Sequence, residues 1–362
     1  MTATALRNSD THGLAAPAQA QESRAPIAIA EDRMRAVLAS GYGSPEVLTC
    51  THRPKPVPAD NEVLIRIYAT NVTAADSMMR RGDPAYARLF LGLRKPKAEV
   101  PGTGLAGIVE AAGQDVDRLK VGEAVFGEAG LNFGAHAEYV CVPQDGVILP
   151  KPASLSFAEA AAICDGPMTS YNFLRRIADV KPGQRVLVNG ASGALGTAAV
   201  QLAKSFGATV IGVCSAANVD LVKSLGADEV IDYNLEDFTK RRDSFDIIYD
   251  TVGKSSFGRC KRALTKQGSY LSPVLSLGLL LQMMRTALFS KKSAKFDATG
   301  LRKADELRDI LTKLVSMAEE GKLRTVIERS YSLDQIREAH AHVDTGHKKG
   351  TIIIRVCGSD SL

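Results

Sequence analysis

Two patterns of apolar residues divide the chain. Between about residues 34 and 155, short segments such as EVLIRIYAT alternate apolar and polar positions, and Gly and Pro separate them. This period of two is typical of strands with one buried face, so the first part predicts a mostly β, barrel-like domain. From about residue 157, strand-like runs alternate with helix-like runs. That alternation predicts an α/β domain with a doubly wound parallel sheet.

A glycine turn in the second part predicts a dinucleotide site. The pattern gives a strand over residues 185–188, a helix over 197–206 and a second strand over 209–214, with NGASGALG between the first two elements. Gly193 lets the backbone approach a pyrophosphate, Gly196 lets the helix pack on the strand, and the helix N-terminus binds the phosphates. A tight turn without a ligand is the alternative. The predicted cofactor contacts in the turn are Ala191, Ser192, Gly193, Ala194, Leu195 and Gly196.

The end of the second strand predicts which dinucleotide binds. An acid there would bind the ribose hydroxyls of NAD and repel a 2′-phosphate. This chain instead has Ser215, and its first carboxylate is Asp220. The sequence therefore favours NADPH, with NADH as the alternative because the loop also lacks Lys and Arg. Tyr233, Lys348 and Lys349 are candidate supplements, although the lysine pair equally fits a solvated turn.

Composition excludes several classes of function. The chain has 362 residues, which suits two domains, and its net charge of +5 is spread along the sequence. No nucleic-acid partner is expected. Six cysteines occur without a C-x-x-C pair, so neither a zinc ribbon nor a disulfide framework is indicated, and a reduced, cytoplasmic location is predicted. Residues 1–32 predict a disordered tail, with a cleavable organelle-targeting peptide as the alternative.

One apolar stretch, residues 274–289, stands apart from both patterns. Gln282 and Arg285 interrupt it, and it is shorter than the roughly 20 residues that a membrane span needs. We therefore expect no stable membrane span. A buried or interface helix is the favoured interpretation. A membrane-surface or pocket-lid helix is the alternative, because Lys291 and Lys292 follow directly.

Several segments agree in order and spacing with one family. YGSPEVL, PGTGLAGIVEAAGQDVDRLKVGEAVFG, GAHAEY, VLVNGASGALGTAAVQLAK, SLGADEVIDY and DTVGKSSF cover most of the chain from Met34 to Val356. On these segments the chain resembles the medium-chain dehydrogenase/reductase superfamily, in its zinc-independent quinone-oxidoreductase-like branch. The resemblance implies a GroES-like catalytic domain, split in sequence around a Rossmann domain, and a homodimer. The expected divisions are a tail over 1–32, a first catalytic part over 33–160, the Rossmann domain over 161–297 and a return to the catalytic domain over 298–362.

The resemblance also implies that no catalytic zinc is bound. The places that hold zinc ligands in zinc-dependent relatives fall at Thr73, Thr103 and Asp165. Two hydroxyls and one carboxylate make a poor zinc site, because zinc prefers thiolate and imidazole. Hydride transfer without a Lewis acid suits a substrate that is already electrophilic, such as a quinone or an enone.

Three residues are the candidates for catalysis. Asp165 lies among apolar and small residues, which would raise its pKa and make it a proton donor, although Asp before Gly-Pro also suits a helix N-cap. His136 is either a proton donor or a satisfied strand residue. Thr73 is either a hydrogen-bond donor to a substrate carbonyl or a partner of its own loop. Thr169 is expected near the nicotinamide, with Val252 and Lys349 as further cofactor contacts.

These residues predict an NADPH-dependent oxidoreductase that acts on a small molecule. Its acceptor would be an activated C=C bond, as in an enone or enal, or a quinone. A zinc-free carbonyl reductase or alcohol dehydrogenase is the first alternative. A non-redox enzyme of lyase or cyclase type using Asp165 and His136, or a cofactor-binding interaction protein, is the second.

Overall fold

The computed structural model describes residues 33–357. Its strands in chain order are β1 (Arg33–Ala39), β2 (Leu48–Pro54), β3 (Glu62–Val72), β4 (Gly104–Ala112), β5 (Ala124–Glu128), β6 (Tyr139–Pro143), β7 (Val147–Pro150), β8 (Arg185–Asn189), β9 (Thr209–Cys214), β10 (Glu229–Asp232), β11 (Phe245–Asp250), β12 (Leu264–Leu271), β13 (Ser293–Lys295), β14 (Ile327–Ser332) and β15 (Thr351–Arg355). Its α-helices are α1 (Ala74–Arg81), α2 (Arg88–Leu91), α3 (Phe157–Ile163), α4 (Gly166–Tyr171), α5 (Ala194–Ser205), α6 (Val219–Ser224), α7 (Phe257–Cys260), α8 (Leu277–Phe289), α9 (Ala304–Glu319) and α10 (Ile336–Asp344).

Strands β8 to β13 form one parallel sheet in the order β10-β9-β8-β11-β12-β13. Counted from β8, this is the 3-2-1-4-5-6 order of a dinucleotide-binding doubly wound fold, with the reversal of strand order between β8 and β11. The strands are nearly continuous apolar runs because helices cover both faces. Val186, Leu187 and Val188, for example, are fully buried. The parallel doubly wound sheet predicted from the sequence is confirmed.

A second sheet contains the strands of the first part of the chain and two from its end. Its path runs β14-β15-β3-β4-β5-β7, and β6 also pairs with β3. β15 lies antiparallel to β3, with Ile353 opposite Asn71. β1 and β2 form a separate antiparallel pair. Residues 34–155, in which apolar and polar positions alternate, thus supply most strands of a mainly antiparallel sheet that has its own apolar core.

The segment after α10 connects the two sheets. The backbone N–H of Gly350 donates to the carbonyl of Ser192, at 2.8 Å, in the turn after β8. Gly193 and Gly350 pair there as an isolated parallel bridge. The chain enters β15 immediately afterwards. A segment from the end of the chain therefore lies against the glycine turn of the parallel sheet. This contact places Lys348 beside Asp165, near the point where the two sheets meet, and we call this region the cleft.

One sequence prediction has a different outcome in the structure, and another falls outside the described residues. Residues 274–289 form α8 from Leu277 onwards, but this helix buries only Leu279 and Thr286. The burial predicted for this helix is therefore wrong, whereas the interface form of the same prediction stays a prediction. The predicted tail over residues 1–32 lies outside the described residues. None of the helices within residues 33–357 is long and apolar enough to cross a bilayer.

Candidate functional site

The glycine turn joins β8 to α5. Gly190 has a φ of +82°, which favours glycine, and a Cβ there would lie 2.7 Å from Thr251 Oγ1 and from Val252 Cγ1. A Cβ at Gly196 would meet the carbonyl oxygen of Gly190 well inside van der Waals contact. Gly196 thus permits the close packing of helix on strand that the sequence predicted for it.

The start of α5 has the features that a pyrophosphate site requires. Its N-cap residue, Gly193, offers no side-chain cap, and no acidic residue stands in the first turn. A Cβ at Gly193 would find its nearest protein atom, the Gly190 carbonyl oxygen, at 3.6 Å. The N-cap residue of this twelve-residue helix therefore gives its first N–H groups no side-chain acceptor, and no side-chain atom lies within 4 Å of a Cβ at Gly193. The residues present fit a dinucleotide.

Asn218, in the loop after β9, contacts the glycine turn, and the sequence did not predict this contact. Its Nδ2 donates to Ser192 Oγ at 3.1 Å and to Ser215 Oγ at 3.3 Å. Its Oδ1 is buried and has no hydrogen-bond partner among the described residues. One side chain therefore links the glycine turn to the strand end where a 2′-phosphate would lie. Its polarity in the loop CSAANVD was the available signal.

The other predicted cofactor contacts are distributed around this turn. Tyr233 follows β10, is 55% exposed, and its backbone N–H donates to the carbonyl of Cys214. Val252 lies against Gly190. Thr169 lies in α4, whose Gly166 packs directly on the Ala194 carbonyl at the start of α5. Lys349 is exposed, and its backbone N–H donates to the carboxylate of Glu328, which is a poor neighbour for a phosphate.

The carboxyl of Asp165 lies in the cleft beside Lys348. Lys348 Nζ is 3.9 Å from Asp165 Oδ2, and both side chains are largely buried, at 11% and 8% exposed. Asp165 Oδ2 has no hydrogen-bond partner among the described residues. Burial raises the pKa of Asp165, the charge of Lys348 lowers it, and the carboxylate of Asp76 raises it. The raised pKa agrees with the proton-donor hypothesis.

Asp165 occupies the N-cap position of α4, as the helix-cap alternative predicted, but its side chain does not cap the helix. Asp165 precedes α4, but its side chain makes no capping hydrogen bond, and its ψ of −99° is unusual for an N-cap. The placement of Lys348 also corrects a prediction. The sequence suggested the lysine pair as a supplement for a 2′-phosphate, whereas the side chain of Lys348 turns inward to Asp165.

Glu128 is a second acid in this cleft, and the sequence reading did not single it out. It ends β5 directly opposite Gly104. Burial raises the pKa of Glu128 to about 8, with further contributions from the negative charges of Asp165 and Asp76. Its carboxyl therefore holds a proton at neutral pH. The only local feature that could have indicated Glu128 is its position at the end of the apolar strand AVFGE.

Thr73 is committed to its own helix. Its hydroxyl accepts from the Asp76 backbone N–H at 3.0 Å and donates to the Asp76 carboxylate at 2.7 Å, while its backbone N–H donates to the same carboxylate. This is a complete capping box at the start of α1. The geometry argues against the role predicted for Thr73 as a donor to substrate, because its hydroxyl proton is already donated to the Asp76 carboxylate.

His136 is fully buried, at 0% exposure. Its Nε2 donates to the carbonyl of Asn71 at 2.9 Å, and its ring packs edge-on against that of His340, 5.8 Å away between centroids. Burial lowers the pKa of His340 to about 2, so that ring is neutral. This placement argues against His136 as a proton donor and favours a ring bonded within the fold, although His136 lies in a bend before β6 rather than in a strand and its Nδ1 has no partner among the described residues.

At the three positions that the resemblance assigns to zinc ligands, the described residues form no metal-binding set. The hydroxyl of Thr73 is the helix cap, and the backbone carbonyl of Thr103 accepts from Ala129. Within residues 33–357 no three His, Cys, Asp or Glu side chains are arranged to hold a metal. The available oxygen ligands would suit zinc poorly in any case.

Known families and proteins match this chain over most of its length. The family described as Alcohol dehydrogenase GroES-like domain matches residues 59–153, and the family described as Zinc-binding dehydrogenase matches residues 225–354. A 2-methylene-furan-3-one reductase from Solanum lycopersicum is 33% identical over 349 residues, which span 93% of this chain and 82% of that protein.

Two further relatives bear names of the same kind. The mitochondrial NAD(P)H oxidoreductase RTN4IP1 of Homo sapiens is 31% identical over 346 residues, or 87% of each chain. The solved quinone oxidoreductase from Coxiella burnetii is 29% identical and superposes with a TM-score of 0.79, over 90% of this chain and 99% of that chain. The fold and the family matches therefore agree with each other.

Proposed function

This chain belongs to the medium-chain dehydrogenase/reductase superfamily, in its quinone-oxidoreductase-like branch, and is an oxidoreductase; we propose that it uses NADPH, without zinc, to reduce an activated C=C bond or a quinone. The observation that carries the proposal is the cleft itself. An uncapped helix N-terminus at a glycine turn and the buried pair Asp165–Lys348 both border the segment that ends at Gly350. The names of its relatives, an enone-type reductase and an NAD(P)H oxidoreductase, support the same class.

The bound dinucleotide would supply the hydride for the reaction. Asp165, in its protonated form, donates a proton to the substrate atom on which negative charge develops. The new carboxylate of Asp165 then lies 3.9 Å from Lys348 Nζ, whose positive charge stabilises it. Burial excludes water from this pair and strengthens the interaction. Glu128, protonated below a pKa of about 8, is a second acid in the same cleft.

A panel of acceptors tests the proposed reaction. NADPH oxidation by the purified protein should be measured by stopped flow with quinones, enones and aldehydes. We expect turnover with enones or quinones and little with simple aldehydes, because a plain carbonyl depends more on a Lewis acid. Turnover with aldehydes alone would instead favour a carbonyl reductase. If no acceptor oxidises NADPH, the redox proposal fails.

NADPH should bind more tightly than NADH, by about 1–2 kcal/mol, the contribution of one or two charge-assisted hydrogen bonds. The physical reason is that Ser215 and Asn218 occupy the end of β9, where NAD-binding sites place an acid. Titration of both cofactors, followed by the fluorescence of the reduced nicotinamide or by calorimetry, measures the difference in affinity. Asn218→Ala should reduce the difference in affinity between NADPH and NADH, because the hydroxyls of Ser192 and Ser215 would lose the amide that holds them. Equal affinities in the wild type would contradict the prediction.

Purified protein should contain no stoichiometric zinc. The reason is the ligand set, because the Thr73 hydroxyl is engaged by Asp76 and Asp165 is paired with Lys348. Elemental analysis after expression in zinc-supplemented medium measures this. One tightly held zinc per chain, retained through dialysis against a weak chelator, would show that the proposed alignment of the metal positions is wrong.

We expect a homodimer in solution. β13 is the last strand of the parallel sheet, with no further strand paired beyond it among the described residues, and extension of such a sheet across a two-fold axis gives an isologous interface. Sedimentation velocity at micromolar concentration should give twice the chain mass. A single monomeric species would count against this expectation.

For location we propose the cytoplasm, with import directed by residues 1–32 as the alternative, since the human relative is named as mitochondrial.

A further inference from the structure

Exposed apolar side chains are concentrated in two short segments. Of the seventeen large apolar side chains that are exposed within residues 33–357, ten lie in residues 86–93 and 277–289. Phe90 is 79% exposed, Leu281 66% and Phe289 82%. We call these two segments the apolar rim. A contiguous exposed apolar surface on a folded protein commonly marks an interaction site.

The two segments of the apolar rim are neighbours in space. The hydroxyl of Tyr86 donates to the carbonyl of Leu275 at 3.2 Å, just before α8 begins. The first segment follows α1 of the antiparallel-sheet part, whereas α8 connects β12 and β13 of the parallel sheet. The apolar rim therefore spans both parts of the molecule. Since α8 buries only two of its thirteen side chains, most of its surface faces away from the core.

The charged residues of the apolar rim and of the residues that adjoin it are basic, and the first acids beyond them along the chain are Asp83, Glu99 and Asp297. Residues 85–98 and 274–296 contain no Asp or Glu. Exposed cations are interspersed with the apolar side chains or follow them directly: Arg94, Lys97, Arg285 and Lys291. Exposed apolar side chains combined with Lys and Arg are typical of helices that lie in the headgroup region of anionic membranes.

From this combination we propose that the apolar rim docks on an anionic lipid bilayer. Phe289, Leu281 and Phe90 enter the boundary between headgroups and acyl chains, and Arg285 and Lys291 bind lipid phosphates or carboxylates. A second copy of the chain is a poorer occupant of the same surface. A two-fold contact would bring the cations of both rims into one interface, with no acidic residue in either segment to pair with them.

Vesicle flotation with the full-length chain tests the docking directly. The probes are vesicles of phosphatidylcholine alone and of phosphatidylcholine containing about one third phosphatidylserine. We expect binding to the anionic vesicles only, and release as salt is raised from low to high concentration. Leu281→Glu should lower the bound fraction at least about tenfold, because it places a charge at the lipid boundary. Arg285→Gln should weaken binding to a smaller extent.

Leu235→Glu is the matched control. Leu235 is 87% exposed but lies outside both segments, so the variant should bind vesicles like the wild type. Thermal melting checks that each variant is folded. Two results would overturn the proposal: no binding to anionic vesicles, or equal binding by Leu281→Glu and Leu235→Glu. In the first case, conversion of a dimer to a monomer by Leu281→Glu would identify a second copy of the chain as the occupant. Because no step of this test requires turnover, its outcome is separate from that of the proposed reaction.

Discussion

Asp165→Asn should lower turnover at least about tenfold while NADPH binding stays close to that of the wild type. Loss of an acid–base group costs this much or more, and the amide keeps the shape of the carboxyl but cannot donate a carboxylic proton. The side chain of Asp165 lies in the cleft, 3.9 Å from Lys348, and no hydrogen bond ties it to the helix that follows. Single-turnover oxidation of NADPH with the best acceptor measures the effect, and cofactor titration provides the control.

The pH profile, measured with a Lys348 variant, tests Asp165 as the acid. Because burial raises the pKa of Asp165, its proton-bearing form is present at low pH and is lost as the pH rises through that pKa, so turnover should decline on the alkaline side. Lys348 lowers the pKa of Asp165. Lys348→Met should therefore move the alkaline limb to higher pH, whereas a purely structural role for Lys348 would leave the limb in place.

Two variants distinguish Asp165 from its neighbours. Glu128→Gln removes the other carboxyl in the cleft, whose pKa of about 8 would also give an alkaline limb. If Glu128→Gln loses turnover and Asp165→Asn keeps it, Glu128 is the proton donor. His136→Ala should lower the melting temperature and leave the single-turnover rate of the folded protein near that of the wild type. The reason is that His136 is fully buried and bonded to the Asn71 carbonyl. Unchanged turnover in all three variants would contradict acid catalysis from this cleft.

Gly193→Ala should remove most NADPH binding and leave the fold intact. The backbone of Gly193, at φ −78° and ψ 178°, is available to alanine, and the nearest protein atom to an added Cβ is 3.6 Å away. That methyl group would instead occupy the space over the start of α5, where a pyrophosphate approaches. We expect the dissociation constant to rise at least about tenfold, or 1.4 kcal/mol. The melting temperature should change by no more than about 2 °C.

Gly196→Ala is the contrasting variant in the same turn. Its Cβ would lie 2.6 Å from Ala191 Cα and even closer to the Gly190 carbonyl, so the helix and strand must move apart. Overpacking of this kind costs about 1–3 kcal/mol of stability. Gly196→Ala should thus lose cofactor binding together with stability, whereas Gly193→Ala loses binding alone. Wild-type affinity in Gly193→Ala would show that the pyrophosphate does not lie over this helix.

Local patterns in the sequence determined the fold class and the cofactor turn. The strand at residues 209–214 has the same bounds in the structure, and the helix predicted at 197–206 begins three residues earlier and ends one residue earlier. Such elements are predictable because apolar period, glycine at a left-handed turn and strand–helix alternation are properties of adjacent residues. Gly196 could be assigned to close helix–strand packing for the same reason, since its constraint comes from residues only a few positions away.

The chemistry of the cleft was decided by the tertiary structure. Asp165 and Lys348 are far apart in sequence and meet because the segment ending at Gly350 packs on the glycine turn. The pKa of Glu128 is raised by burial and by two carboxylates from other elements. Thr73 and His136 illustrate the converse: each has a residue type suited to catalysis, yet one hydroxyl completes a helix cap and one ring is sealed in the core. Burial and electrostatic field depend on which distant segments pack together, and no local pattern contains that information.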